Sequence, residues 1–286
     1  MIAIVVAFDS AEVLPACLEA LRGERVPAIV VDNASEDASA AIAEAAGMRV
    51  IRNPSNEGYG RAMNIGLKAA TGHDCCLLLN PDLVLASGAT AALKAAALAY
   101  PDAAMLAPRL VEPDGRFFFQ SRSLLSPYLK NEGGAPCLPE GDCCAPFLSG
   151  ACLLVERDFI LSLGGFDEKI FLFCEDNDLC RRVIAGGRSL VHVHDAIAHH
   201  RRGGSTAPKP GRAYKARWHM AWSAGYTTRK YGLPDPSWRS LMVNAAKFAL
   251  AALTFNRRLM ERYGGSAAGA LASLRRKSAL EREGLG

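Results

Sequence analysis

The chain has 286 residues, 50% hydrophobic and 22% charged, which excludes a disordered polar tract and is enough to bury a substantial core. Its net charge of +4 is unevenly spread: from Arg201 onward 17 Lys and Arg face 4 Asp and Glu, whereas the first 200 residues carry 16 against 25. No run reaches the ~18–20 apolar residues of a membrane span; the nearest, MVNAAKFALAALTF at 242–255, contains Lys247 and runs into Arg257 and Arg258.

The first half alternates. IAIVVAF (2–8) is an apolar, β-branched strand, and 11–21 carries helical spacing in Val13, Leu14, Leu18 and Leu21. PAIVVDNAS is a second strand ending in an acid, 36–46 an alanine-rich helix, MRVIRN a third strand, and 58–70 a helix. CCLLLNPDL is a fourth strand, followed by a helix over 87–98. Continuous apolar strands alternating with helices predict an α/β fold with a mostly parallel, Rossmann-like sheet covered on both faces.

From Pro108 to Pro146 the chain is rich in Pro, Gly and Cys and gives no clear element. FLSGACLLVE then reads as a strand and ERDFILSLGGF as a short helix stopped by Gly164 and Gly165. FLF (171–173) resembles a strand, and Glu175 opens a helix with Leu179, Val183 and Ile184 on its buried stripe. After the link TAPKPGR come helices at 212–231, 238–262 and 267–281, so the expected division is a catalytic domain over 1–210 and a basic helical extension over 211–286.

The N-terminus runs straight into a strand, so no secretory leader is expected, and the nine cysteines are an odd number. Reduced thiols in a cytoplasm are expected. Cys137, Cys143, Cys144 and Cys152 are the one zinc candidate, but their spacing fits no CxxC pair. The basic tail suits an anionic partner, either a membrane surface or none at all if its helices pack on the body or on a second subunit. No nucleic-acid partner is expected.

Ligands of such sheets bind at the carboxyl ends of the strands. Polar residues gather there: Asp9, Asp32, Asn53, Asn80 and Asp82. No GxGxxG or GxxxxGK[ST] loop follows a strand, so neither a dinucleotide nor a P-loop site is indicated. Asp82 is either a turn residue or a carboxylate for a hard cation. His199 and His200, before Arg201 and a glycine pair, add imidazoles suited to Mn²⁺ or Mg²⁺. In NEGYGRAMNIG, Gly58 and Gly60 precede a helix offering Arg61 and Asn64, which is either an anion site or a plain loop. In FLFCEDNDLCRR, Glu175, Asp176 and Asp178 suit a helix N-terminus, and Asp178 suits Arg181 or Arg182 as partner.

Together, VVDNASED, NEGYGRAMNIG, NPD, SGACLLVER, GGFDEKIFLFCEDNDLCRR and AIAHHRRGGS resemble glycosyltransferase family 2, of GT-A fold, and its bacterial rhamnosyltransferase-type members in polysaccharide synthesis. The resemblance covers about residues 1–205. It implies an inverting transfer of a sugar from a nucleotide-diphosphate sugar to a saccharide or lipid-linked acceptor. It puts Asp32 and main chain near Ala7 and Asp9 at the nucleobase. Asn56, Gly58, Arg61 and Asn64 would face ribose and phosphates, with Asn80 and Pro81 beside the nucleotide. Asp82 and His200, with His199 the alternative, would hold Mn²⁺ or Mg²⁺. Gly150, Ala151, Phe166 and Asp167 would line the sugar and acceptor pocket. Asp176 would be the base, Glu175 its neighbour and modulator, and Phe171 to Phe173 the apolar wall behind it. Two departures stand out: AFDS at the first strand end, and Asn80 where relatives carry the first acid of Asp-x-Asp. The expected place is the cytoplasm, at the inner face of its membrane. A sugar-phosphate nucleotidyltransferase or a non-catalytic nucleotide-sugar binder are the alternatives; the first should carry a basic Gly-rich loop after strand one, and AFDSAEVLP has none.

Overall fold

A computed structural model describes residues 1–119, 123–125, 139–201, 203–206 and 209–285. The N-terminal elements are β1 (Ile2–Ala7), α1 (Leu14–Gly23), β2 (Ala28–Asp32), α2 (Ser39–Ala45), β3 (Arg49–Arg52), α3 (Tyr59–Ala69) and β4 (Cys75–Leu79). The middle holds β5 (Leu83–Leu85), α4 (Ala89–Ala99), β6 (Ala103–Val111), β7 (Phe117–Phe118), β8 (Cys143–Cys144), β9 (Cys152–Glu156) and α5 (Arg157–Ser162). Then follow α6 (Glu175–Ala185), β10 (Ser189–His200), α7 (Arg212–Lys230), α8 (Ser237–Leu253), α9 (Arg257–Leu274) and α10 (Ala279–Arg282).

The main path of the sheet runs β3-β2-β1-β4-β9-β6-β10-β5. Each strand alternates its side chains between two faces. Ala3, Val5 and Ala7 meet Leu14, Leu18 and Leu21 of α1 and Leu93 of α4. Ile2, Ile4 and Val6 meet Met63 and Leu67 of α3, Ile160 of α5, and Leu179 and Val183 of α6. The result is the expected layer sandwich, with one correction to the sheet. β1 to β4 and the β6–β10 pair run parallel, but β9 enters antiparallel between β4 and β6, and β5 closes the edge antiparallel to β10. That reversal brings the start of β9 to the same sheet edge as the ends of β1, β2 and β4.

Other expectations shift. β6 lies partly inside the stretch that gave no element; Pro108 sits within it, where periodicity alone would deny a strand. Phe171–Phe173 is not a strand: Phe173 and Cys174 take left-handed φ of 68° and 66°, turning the chain into α6. The expected helix over 238–262 is broken at Thr254–Asn256, where the Asn256 side chain caps α9.

Helices α7, α9 and α10 share a cluster with the body: Phe171, Trp218, Trp222, Ala272 and Ala279. α7 and α9 approach closely, since a Cβ on Gly269 would lie 2.1 Å from the Trp218 carbonyl oxygen. Cys17, Cys75, Cys76, Cys143, Cys144, Cys152, Cys174 and Cys180 are free thiols; Cys137 lies outside the described residues.

Candidate active site

The parallel register sets Ala7 opposite Asp32, and Asn33 donates its amide to the Ala7 carbonyl at 2.8 Å. Asp9 is buried at a left-handed φ of 48°; its Oδ1 accepts the Glu36 amide at 2.8 Å and its Oδ2 meets Lys209 Nζ at 2.8 Å. Asp32 is also buried. Its Oδ2 accepts the Ser35 amide at 3.4 Å, but its Oδ1 has no hydrogen-bond partner among the described residues. A buried carboxylate oxygen left this way is costly until a donor arrives. A cavity of about 430 Å³ adjoins, lined by Asp9, Ser10, Arg201, Gly203, Gly204 and Arg212 among others.

Asn56 orders the next loop rather than pointing into space. Its Oδ1 accepts from Asn33 Nδ2 and from the Gly58 amide, both at 3.0 Å, and Asn53 Nδ2 donates to Asn33 Oδ1 at 2.9 Å. Arg61 pairs with Glu57 at 3.0 Å. Asn33 and Glu57 therefore belong to the same network, which the sequence pattern did not single out.

At the end of β4, the Asn80 amide donates to the Ala151 carbonyl at 2.9 Å, and buried Pro81 and Asp82 follow. Asp82 Oδ1 lies 3.5 Å from His200 Nε2 and accepts the Ser205 hydroxyl at 2.6 Å; Oδ2 accepts the Gly204 amide at 3.2 Å. Burial pushes its pKa up, but hydrogen bonds from His200 and Ser205 outweigh that and leave it below the ordinary value. His200 and His199 face opposite ways because they are neighbours on β10; His199 is exposed. This removes His199 as an alternative to His200 beside Asp82. No group of three or more His, Cys, Asp or Glu placed to hold a metal ion occurs among the described residues. Asp82 and His200 thus offer one carboxylate and one imidazole, a set that fits a cation such as Mn²⁺ or Mg²⁺ sharing its other positions with phosphate and water.

The base candidate sits across β9 from that turn. Asp176, half-buried in the first turn of α6, accepts the Gly150 amide on Oδ2 at 3.1 Å and the Asn177 amide on Oδ1 at 2.8 Å. Burial raises its pKa, opposed by those bonds. Glu175 is more deeply buried; burial first and then the Asp176 charge push its carboxyl up to about 8, and its Oε2 has no hydrogen-bond partner among the described residues. Charge on either carboxylate disfavours charge on the other, so the two acids modulate each other. Tyr59 closes the corner by donating its hydroxyl to the Gly150 carbonyl at 2.8 Å.

Several expected contacts have other occupations. Asn64 is buried, and its amide clamps Phe166, accepting from the Phe166 N–H at 2.8 Å and donating to its carbonyl at 2.9 Å. Phe166 is a core residue whose ring stands edge-on to Tyr59 at 6.1 Å. Asp167 Oδ2 accepts from Tyr226 at 2.9 Å and pairs with Lys230 at 2.7 Å, so α7 already holds it. Gly58 is required because a Cβ there would lie 2.4 Å from the Phe171 carbonyl oxygen, at a φ of 82°. Phe171 stacks on His219 at 4.7 Å and so packs against the extension instead of walling the base. Asp178, fully buried, pairs with Arg182 at 2.8 Å but not Arg181, and also accepts Lys230 and Tyr231 at 2.5 and 2.7 Å.

Residues 2–160 match the model of Glycosyl transferase family 2. The chain is 30% identical over 213 residues to N-acetylglucosaminyl-diphospho-decaprenol L-rhamnosyltransferase of two Mycobacterium tuberculosis strains, covering 65% of this chain and 69% of the relative. Among solved structures, the Pyrobaculum calidifontis mannosyltransferase PcManGT with GDP-Man and Mn²⁺ superposes with a TM-score of 0.59 at 16% identity, over 96% of this chain and 87% of that one. S. aureus TarS 1-349 with UDP-GlcNAc gives 0.54 at 15%, over 96% and 91%. Against a longer S. aureus TarS chain the match spans only 38% of that chain, with a TM-score of 0.54 at 17% identity and 77% of this chain covered. The chain therefore belongs to glycosyl transferase family 2, a transferase of GT-A fold, which displaces the nucleotidyltransferase and non-catalytic readings.

Proposed function

We propose that Asp176 takes the proton of an acceptor hydroxyl as that oxygen attacks the anomeric carbon of a nucleotide-diphosphate sugar. The new carbon–oxygen bond forms on the face opposite the breaking one, and the electron pair of the broken bond leaves with the diphosphate, so the configuration inverts. One observation carries this reading: Gly150 donates to Asp176 while the adjacent Ala151 accepts from Asn80, next to the Asp82 turn. A base and a candidate diphosphate-holding turn thus meet on one dipeptide. A half-buried carboxylate with a raised pKa is better matched to a hydroxyl proton than an ordinary aspartate. Positive charge developing at the sugar carbon is favoured by the same carboxylate, as in glycoside hydrolysis.

In this reading the free Oδ1 of Asp32 accepts a nucleobase N–H, with Ala7 main chain and Asp9 beside it, and Arg61 leaves Glu57 for phosphate. Asp82 and His200 would hold Mn²⁺ or Mg²⁺, whose charge stabilises the departing diphosphate when bound. Residues 1–210 act as the catalytic unit and 211–286 as an extension docked on α6. Replacing Asp176 with Asn should lower kcat by about 10²–10⁴-fold, the usual worth of a general base, while nucleotide-sugar binding measured by calorimetry survives. Near-normal turnover would refute the assignment.

The acceptor we propose is a saccharide carried on a lipid, in cell-surface polysaccharide synthesis. No helix among the described residues is long and apolar enough to cross a membrane. α8, however, exposes Trp238, Met242, Leu250 and Leu253, with Phe255 just beyond it, and contains no acid. Arg239, Lys247, Arg257 and Arg258 flank that face. An apolar strip rimmed by cations suits the inner, anionic face of a cytoplasmic membrane. Co-sedimentation with anionic but not neutral vesicles, lost on Leu250→Asp, is expected; concentration-dependent self-association without vesicle binding would instead make α8 a subunit interface.

A further inference from the structure

β6 and β10 carry a second polar group that the reaction above does not use. The strands pair in parallel, but the register is irregular between Val193 and Ile197, and the excursion brings His194 Nε2 within 3.4 Å of Arg109 Nη1. His192 lies alongside, its ring 5.3 Å from Phe117 and 5.3 Å from Phe119. Three buried nitrogens in this one cluster have no hydrogen-bond partner among the described residues: Arg109 Nε, His192 Nε2 and His194 Nδ1. One such atom is an ordinary imperfection; three on neighbouring residues point to a missing acceptor. The guanidinium can only donate, so that acceptor is rich in oxygen and anionic. One carboxylate lies near, Asp142, but its Oδ1 already accepts the His194 amide at 2.7 Å, and its side chain also engages Tyr100. Burial, with His194 next, holds the His192 pKa down at about 4, and Asp142 opposes that shift.

The position matters as much as the chemistry. Met105 lies opposite Val155 and Leu106 opposite Leu154, so β6 runs on past these pairs toward Arg109 while β9 runs back toward Gly150, the residue that holds Asp176. Arg109 follows Met105 and Ala107 on the sheet face that α6 covers. Asp9 and Asp32 lie on the other side of β4 and β9, at the ends of β1 and β2. The cluster is therefore lateral to the base and away from the nucleotide end of the edge, where an acceptor must enter.

We infer that Arg109, His192 and His194 form a second anion site, which receives a phosphate or diphosphate carried by the acceptor. The inference rests on the transferase reading, and the experiment separates the two. Inorganic pyrophosphate is titrated calorimetrically into the full chain, with chelator present, for wild type, Arg109→Gln, Arg109→Lys and the double variant Asp82→Asn/His200→Gln. The double variant should keep a pyrophosphate site. Arg109→Gln should weaken it by about tenfold, the scale of one lost charge-assisted hydrogen bond, and Arg109→Lys should recover part of the loss. Absence of binding, or binding abolished in the double variant and intact in Arg109→Gln, overturns the site. A second arm compares a diphosphate-linked glycoside acceptor with the same glycoside lacking phosphate: Arg109→Gln should raise KM for the first only, with kcat and donor affinity unchanged. Equal effects on both acceptors would reduce Arg109 to a structural role and overturn the proposal. Wild type that binds pyrophosphate but transfers sugar to neither acceptor would refute the transferase reading and leave the anion site standing.

Discussion

Replacing Glu175 with Gln should flatten the pH dependence of stability. The side chain is 7% exposed and its carboxyl is pushed from the ordinary 4.5 to about 8 by burial and the neighbouring Asp176 charge. Below pH 4.5 both folded and unfolded chains hold the proton, and the group costs nothing. As pH rises toward 8 the unfolded chain releases it while the folded protein keeps it, so stability falls. Each pH unit in that window is worth about 1.4 kcal/mol, or about 5 kcal/mol across it. Gln cannot ionise; whatever constant effect its amide has, the variant lacks this slope. Urea unfolding of both proteins at pH 5, 6, 7 and 8 gives the difference directly, since all other titrating groups are shared. Wild type should lose about 1–1.4 kcal/mol per pH unit relative to the variant. Parallel stability curves would show that Glu175 ionises freely in the folded protein and would sink the reasoning.

Two further predictions concern the scaffold. Asp178→Ala leaves Arg182 and Lys230 without their buried carboxylate and should cost about 3–5 kcal/mol. At about 2.1 cal/mol/K per residue that lowers Tm by roughly 5–8 °C in a scanning calorimeter; a change under about 1 °C would show that the network contributes nothing net. Gly58→Ala must place a Cβ 2.4 Å from the Phe171 oxygen at positive φ, so it should destabilise by more than about 2 kcal/mol in urea unfolding; a neutral result would mean that the 171–174 turn yields freely.

The first half of the sheet is readable because β1, β2 and β4 are continuous apolar runs, and only burial on both faces rewards such runs. The reversal of β9 is not readable, because a strand in the middle of a sheet carries the same pattern in either direction. β6 and β10 escape for a different reason: Pro108, His192, His194 and Asp195 interrupt the apolar pattern, and tertiary pairing overrides it. Among the site residues, Asp82 and His200 do converge, and Asp176 does reach the edge. Asn64, Phe166 and Asp167 sit in equally marked motifs but hold the motif segments to each other. Motif spacing shows which segments meet. It does not say which side chain faces the ligand and which faces its neighbour, because both roles demand the same residue types.

The Gly150–Ala151 dipeptide has a consequence for how such an enzyme can change its substrates. The proton acceptor and the turn beside the leaving group hang from adjacent peptide units, and Tyr59 pins the first of them from α3. Their separation is set by this dipeptide, which leads into β9, and by the 171–174 turn that carries Asp176 to it. Other loops on either flank can therefore be lengthened, shortened or exchanged to admit a different donor or acceptor without detuning the attack distance. A substitution at position 150 has no such freedom, since any Cβ there would stand 3.3 Å from the Cβ of Asp176.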